Sequence, residues 1–287
     1  MKIAVIGANG QLGHDVVRAF TSYGDEVIPL THSDIELSDM DSVSKCLQPL
    51  HADVVVNTAA MHHVENCERE PQKAFAVNGL GVWNLAKVMR DMRGVLVHVS
   101  TDYVFDGAKS SPYSETDSPN PLNAYGNTKL AGEYFVRSTV EKHFVLRVSA
   151  IYGKNPCRAK GGLNFIELML RIAKERGEVK VVDSEFVTPT STAAIARQMI
   201  ALSRCDDYGL YHCTAEGSCS WHEFAREIFD FTSTKVHLKV AAPNDFPAKV
   251  PRPKYSVLEN CGLKMRGLNT FGPWQQDVRE YLSSPRN

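Results

Sequence analysis

Apolar positions along this chain come in two alternating textures. Residues 2–6, 26–30, 53–57, 95–100 and 144–149 are short β-branched runs, apolar nearly throughout. Strands buried on both faces of a parallel sheet read this way, whereas half-buried strands alternate apolar with polar. Between the runs lie segments of helical spacing, such as Ala74, Phe75, Val77, Leu85, Val88 and Met89 after the first-turn acids Glu68 and Glu70. Strand and helix in alternation predict a doubly wound α/β fold around a parallel sheet. Ligands of such sheets bind beyond the carboxyl ends of the strands, where the strand order reverses.

The texture changes after Tyr152. Prolines, glycines and turn residues become frequent, among them Pro156, Gly161, Gly162, Pro189, Pro243, Pro247, Pro251 and Pro253. This predicts a dinucleotide-binding domain over residues 1–150 and a smaller substrate-binding region over 151–287 that covers the ligand edge. A helix and strand near 164–183 are candidates to rejoin the first domain.

Composition narrows the partners. The 287 residues are 43% hydrophobic and 23% charged, enough to bury a sizeable core. Lys plus Arg number 32 against 33 Asp plus Glu, so no long-range field favours nucleic acid or an anionic membrane. The opening MKIAVIGANG has too short an apolar run for a signal peptide, no stretch approaches a membrane span, and the cytoplasm is the expected location. The seven cysteines (46, 67, 157, 205, 213, 219 and 261) are odd in number and lack a CxxC pair, which predicts reduced thiols. His62 and His63 are adjacent rather than spaced for a metal, and no metal is expected.

The first strand runs into Gly7-Ala8-Asn9-Gly10-Gln11-Leu12-Gly13 and then a helix. Gly7, Gly10, Gln11, Leu12 and Gly13 are therefore candidates to cradle a pyrophosphate, because glycine admits close approach and a helix N-terminus offers free N–H groups. Three glycines also suit a plain tight turn. The second strand ends Leu30-Thr31-His32-Ser33, without the acid that binds the adenosine ribose of NAD and without an arginine, so NADP is expected with NAD possible. Asp34 and Ile35 are candidates to contact the adenine side, although Asp34 equally suits a capped turn before a helix at Asp41. Asn57, Ala59 and Ala60 end the third strand with the small residues a cofactor needs beside it.

The fourth strand ends at Ser100-Thr101-Asp102-Tyr103, and Tyr125 with Lys129 follows. Residues four apart share a helix face, so both can address one ligand. An ammonium beside a phenol lowers its pKa toward working pH, which suits general acid–base chemistry, and the Thr101 hydroxyl can hold a reacting carbonyl oxygen. YxxxK alone is common by chance; after GxxGxxG and a Ser-Thr strand end it is specific.

These motifs make the chain resemble the extended short-chain dehydrogenases and, within them, the dTDP-4-dehydrorhamnose reductase family. The likeness rests on GANGQLG, on Asn57 to Ala60, on VSTDYVFDG (99–107), on PYSETDSPNPLNAYGNTKLAGE (112–133), on Arg147-Val148-Ser149, on Pro189-Thr190, on GLYHCTAEG (209–217), and on Arg252-Pro253 with Ser256. It implies a Rossmann sheet and reduction of the 4-keto group of a nucleotide-linked 6-deoxy sugar. Thr101, Tyr125 and Lys129 would bind and protonate the carbonyl, Lys129 would also hold the nicotinamide ribose, and Asp102 and Tyr103 would line the sugar site. Related sugar-nucleotide dehydratases carry Glu where this chain has Tyr103, so dehydration is disfavoured.

The likeness has departures. Ala150 stands where a Trp is common, and Val187 where a Gly is common. Arg252, Lys249 and Lys254 can pair with the diphosphate of a nucleotide sugar, though the two lysines suit a solvated loop as well. Trp221 can stack on a base, but Ser220-Trp221-His222-Glu223 reads as a helix start capped by Ser220. Another nucleotide-sugar ketoreductase, or a binding module like the regulatory subunit of methionine adenosyltransferase, would carry the same motifs. A homodimer is compatible with all of these readings.

Overall fold

The computed structural model describes residues 1–156, 161–242, 245–246 and 249–284; Cys157, Pro243 and Pro247, counted above, lie outside the described residues. In chain order its first part carries β1 (Lys2–Ile6), α1 (Gln11–Tyr23), β2 (Glu26–Leu30), α2 (Met40–Leu47), β3 (Val54–Asn57), α3 (Val64–Arg69), α4 (Pro71–Phe75), α5 (Gly81–Met92), β4 (Val95–Thr101), α6 (Ala124–Thr139) and β5 (His143–Val148). There follow β6 (Ile151–Tyr152), α7 (Phe165–Arg176), β7 (Glu178–Val181), β8 (Phe186–Val187), β9 (Thr190–Ser191), α8 (Thr192–Leu202) and β10 (Gly209–His212). The last elements are β11 (Cys219–Ser220), α9 (Trp221–Phe231), β12 (His237–Val240), α10 (Cys261–Met265) and α11 (Trp274–Ser283).

Six strands form one parallel sheet in the order β10-β5-β4-β3-β1-β2. The apolar runs are explained by burial on both faces. Ile3 and Val5 of β1 enter one core with α1 and α8, while Ala4 and Ile6 enter the other with α2 and α5, as the two-residue period of a strand requires. β2 departs from this pattern, with Glu26 and Pro29 exposed, because it is the sheet edge, where a proline's missing N–H breaks no ladder. Strand order reverses beside β1, with β2 on one side and β3 on the other, so the ligand crevice belongs over their carboxyl ends.

The sequence pattern does not predict the sixth strand. Gly209–His212 extends the sheet beside β5, and α8 packs with α1 beneath it. The helix expected after Glu68 and Glu70 is also reorganised. Glu68 lies in the last turn of the short α3, which Glu70 caps, and a π-helical turn at Ala76–Leu80 joins α4 to α5. That wider turn shifts the helix register, so Phe75 is exposed rather than packed in the core.

A third cluster is built from α7, β7, α9 and α11 and is rich in aromatic rings: Tyr152, Phe224, Trp274 and Tyr281 are buried there, with Phe165 and Trp221 against them. Phe165–Arg176 and Glu178–Val181 pack in this cluster, where β7 pairs with β12. Ser220 accepts from the Glu223 N–H at 3.0 Å and Glu223 from the Ser220 N–H at 2.8 Å, a full capping box, so Trp221 opens a helix and its ring packs on Phe165.

Candidate active site

The glycine loop divides its labour among three residues. Gly7 has φ +80°, which only glycine adopts cheaply, and its N–H bonds the Leu30 carbonyl at 2.9 Å. A Cβ on Gly13 would stand 2.2 Å from the Gly7 carbonyl oxygen, so Gly13 lets α1 close on the loop. Gly10 needs neither service: its φ is −84°, and its added Cβ would meet only the Gly7 oxygen, at 3.2 Å. It caps α1 with no side chain, leaving the helix N–H groups for a ligand. Gln11 and Leu12 can contribute only backbone there: the Gln11 amide donates to the Asn155 carbonyl at 3.2 Å, and Leu12 lies in the core.

The other cofactor candidates separate in the same way. The Asp34 carboxylate accepts from the Thr31 N–H and from the Thr31 hydroxyl, both at 2.8 Å, and these bonds hold its carboxyl below the usual range. The capped turn therefore describes Asp34, but it is a turn ending β2; the cap of α2 is Asp39. Ile35 is a core residue, 3% exposed, so its side chain is not presented to an adenine. Asn57 is fully buried, with its oxygen on the Ala59 N–H at 3.1 Å and its amide 3.2 Å from His98 Nδ1. Ala59 and Ala60 stay partly open beside the loop.

Thr101, Tyr125 and Lys129 do converge. Thr101 closes β4, Tyr125 and Lys129 lie one turn apart on α6, and the Thr101 hydroxyl stands beside the Tyr125 phenol. Asn123 caps α6 through the Gly126 N–H at 2.9 Å, while Gly126 packs on the Tyr103 carbonyl, where a Cβ would fall 2.2 Å from its oxygen. The electrostatics differ from expectation. Burial pushes the Tyr125 phenol up, the neighbouring Thr101 hydroxyl only partly opposing it. Lys129 donates to the Val99 carbonyl at 2.7 Å, and burial takes its ammonium down to about 8 against the pull of Glu133. The expected lowering of the phenol by Lys129 is absent because desolvation outweighs it.

Asp102 turns away from the crevice. Its carboxylate accepts from Thr101 at 3.0 Å and from Ser149 at 2.9 Å, with Ser256 also bonded, and burial pushes its carboxyl up despite these donors. It therefore braces Thr101 rather than facing a sugar. Tyr103 is partly open and stands edge-on to Tyr125 with ring centroids 5.8 Å apart. Arg252 is exposed but already paired with Glu65, while Lys249 and Lys254 are exposed on the same loop. Ser149 is followed by Ala150 at φ +43°, a strained turn where the resemblance placed Trp, and Val187 pairs with Cys219. A surface cavity of about 550 Å³ opens at the other end of the sheet, between Met1, His51, Arg93 and Lys142, and shares no residue with this cluster.

The model of the RmlD substrate binding domain family matches residues 1–286. The chain belongs to that family. It is 38% identical to the dTDP-4-dehydrorhamnose reductase of Burkholderia thailandensis, covering 97% of both chains. It is 36% identical to the spore coat polysaccharide biosynthesis protein SpsK of Bacillus subtilis, over 98% of this chain and 96% of that one. The crystal structure of dTDP-4-dehydrorhamnose reductase from Bacillus anthracis, in complex with NADP, superposes with a TM-score of 0.93 at 32% identity over 98% of both chains.

In this RmlD-family chain, several residues that brace the cluster carried no assignment from the sequence. Asn78, in the π-helical turn, grips the Met61 backbone at both ends and reaches the Thr128 hydroxyl at 3.1 Å. Glu68 accepts the Ala124 N–H at 2.9 Å, bolting α3 to the start of α6. Glu133, two turns beyond Tyr125, is paired with buried Arg147. Asn78 gave no signal and Glu68 read only as a first-turn acid, while Glu133 continues the four-residue spacing of Tyr125 and Lys129, the signal that could have found it.

Proposed function

We propose that this chain reduces the 4-keto group of a nucleotide-linked 6-deoxy sugar, converting dTDP-4-dehydrorhamnose to dTDP-L-rhamnose with NADPH, NADH serving as an alternative. The observation that carries the reading is the convergence of Thr101 at the end of β4 with Tyr125 and buried Lys129 one turn apart on α6, in a member of the RmlD family. The cofactor supplies hydride. Its pyrophosphate fits the uncapped N-terminus of α1, where Gly10 presents no side chain, and Ala59 and Ala60 give it room.

The chain's own residues manage the proton. As the carbonyl oxygen gains charge, the Thr101 hydroxyl turns its one proton from Asp102 toward it and the Tyr125 phenol gives up its proton to form the alcohol. Burial raises the phenol, so the resulting phenolate needs a nearby cation; Lys129 supplies one and can return a proton because its own pKa lies near 8. Asp102 fixes the Thr101 rotamer, and Tyr103 walls the sugar side. Arg252 reaches the diphosphate by exchanging its bond with Glu65 for one with phosphate oxygens.

No helix among the described residues is long and apolar enough to cross a membrane. The reading places the enzyme in the cytoplasm, where unpaired thiols such as Cys46, Cys67, Cys205, Cys213, Cys219 and Cys261 persist. Sedimentation tests whether it is a homodimer. The functional test is NADPH oxidation with a panel of 4-keto nucleotide sugars. Turnover with dTDP-4-dehydrorhamnose above the other sugars is expected; no turnover with any of them overturns the reading.

A further inference from the structure

Beneath the proton-handling cluster lies a second set of charges. Glu133 is fully buried, Arg147 is 1% exposed and Lys129 2%. Arg147 donates twice to the Glu133 carboxylate, from Nε at 2.9 Å and from Nη2 at 2.7 Å, and Ser100 Oγ adds a third bond at 2.5 Å. Ser100 precedes Thr101 on β4. Arg147, on β5, lies two residues before Ser149, which bonds Asp102 and through it Thr101. One carboxylate on α6 thus ties the two elements that carry Thr101, Tyr125 and Lys129, β4 and α6, to each other and to β5. Stability alone explains such a pair poorly, since an apolar pair of similar volume often serves a core as well or better.

We propose that Glu133 is a positioning residue for Lys129: its carboxylate, one turn further along the same helix face, keeps the Lys129 amine charged and seated on the Val99 carbonyl behind Tyr125. The inference rests on the role given to Lys129 under the proposed function. The groups that face Lys129 are His98 from β4, Cys67 from α3, and Tyr125 and Glu133 from its own helix. Burial holds His98 well below its ordinary value and pushes the Cys67 thiol up to about 11, so both are neutral near pH 7. Tyr125 is neutral there as well. Glu133 is then the charged neighbour that opposes the desolvation of the ammonium. Arg147 in turn aims the carboxylate through its two hydrogen bonds, so the pair acts as a fixed dipole rather than a free charge.

The test titrates Lys129 directly, by NMR of protein carrying ¹³C at the lysine ε-carbons, with the signal assigned by its absence in Lys129→Met. The wild-type amine is expected to titrate near 8. In Glu133→Gln the midpoint should fall by about one pH unit or more, the scale of losing a close opposite charge. Because that variant leaves Arg147 buried without its partner and is at risk of misfolding, the double variant Glu133→Gln with Arg147→Met removes both charges and should still show a fall, smaller than that of Glu133→Gln because a neighbouring cation has gone too. Glu133→Asp, which keeps the charge, should recover most of it. The alkaline limb of the turnover profile should move with the amine in each case. An unshifted Lys129 in the folded double variant overturns the inference, even where the wild-type protein reduces its keto sugar. A shifted Lys129 in a protein inert toward every keto sugar sustains the Glu133 role and removes the proposed function instead.

Discussion

The carboxyl end of the sheet and the aromatic cluster at the C-terminal side bury comparable side chains for opposite purposes. In the aromatic cluster, Phe224 touches Trp274, Phe165 and Tyr152, and apolar contact with ring packing holds the group together. At the sheet end the buried groups are Asn57, Asn78, His98, Ser100, Thr101, Asp102, Lys129, Glu133, Arg147 and Ser149. Each of them costs desolvation that hydrogen bonds must offset. Polar density at that level has little use in a core except to hold chemistry in place. The aromatic cluster adds apolar burial to the stability of this fold, while the sheet end spends part of that stability on a pre-arranged site.

The difference can be broken from either side. The largest change in stability should follow Phe224→Ala, which removes a ring only 1% exposed from the centre of the aromatic cluster. A loss of about 4 kcal/mol is expected from chemical denaturation, with the activity of the remaining folded protein little altered. Lys129→Met should do the reverse. Turnover should drop by roughly 10²-fold or more and NADPH affinity should weaken, because the cation behind Tyr125 is gone. Its melting temperature should hold or rise, since folding already disfavours the charged lysine: its pKa falls to about 8, so at pH 7 the folded state must carry a desolvated ammonium that the unfolded chain carries in water. A Lys129→Met protein that melts well below wild type would sink the contrast drawn above.

The smallest effect sharpens the boundary between the two regions. Asp277 on α11 belongs to the aromatic side, yet its Oδ2 has no hydrogen-bond partner among the described residues, its other oxygen is 3.6 Å from Arg197, and burial pushes its carboxyl up to about 6. A carboxyl whose folded pKa is raised destabilises the fold above that value and relieves the penalty as pH falls through it. Wild-type stability should therefore gain about 1 kcal/mol on Asp277→Asn at pH 7.5, and the gain should fade toward pH 5. Urea melts at the two pH values check it; a gain that stays constant would show that the charge is not its cause.

The sequence made the sheet legible because β1, β3, β4 and β5 are buried on both faces and so carry an unbroken apolar signature. β10 was not legible, since GLYH at the sheet edge is only four residues long and owes its place to pairing with β5 across the chain. Among site residues, Thr101, Tyr125 and Lys129 could be read because strand-end and helix spacing are local rules. The direction in which Asp102, Gln11 and Ile35 point could not, because their partners are fixed by tertiary contact, the Gln11 bond spanning 144 residues. Arg252 shows the same limit: nothing near it in the chain announces Glu65 as its partner.

The central claim is that the Tyr125 phenol delivers the proton to the substrate carbonyl, and Tyr125→Phe tests it most directly because the ring volume stays and only the acid is lost. The measurement is single-turnover reduction of dTDP-4-dehydrorhamnose by the variant, beside a titration of NADPH binding. The account predicts that turnover falls by about 10²-fold or more while the dissociation constant for NADPH stays within about threefold of wild type. Near-normal reduction by Tyr125→Phe would contradict it and move the proton to another group in the cluster.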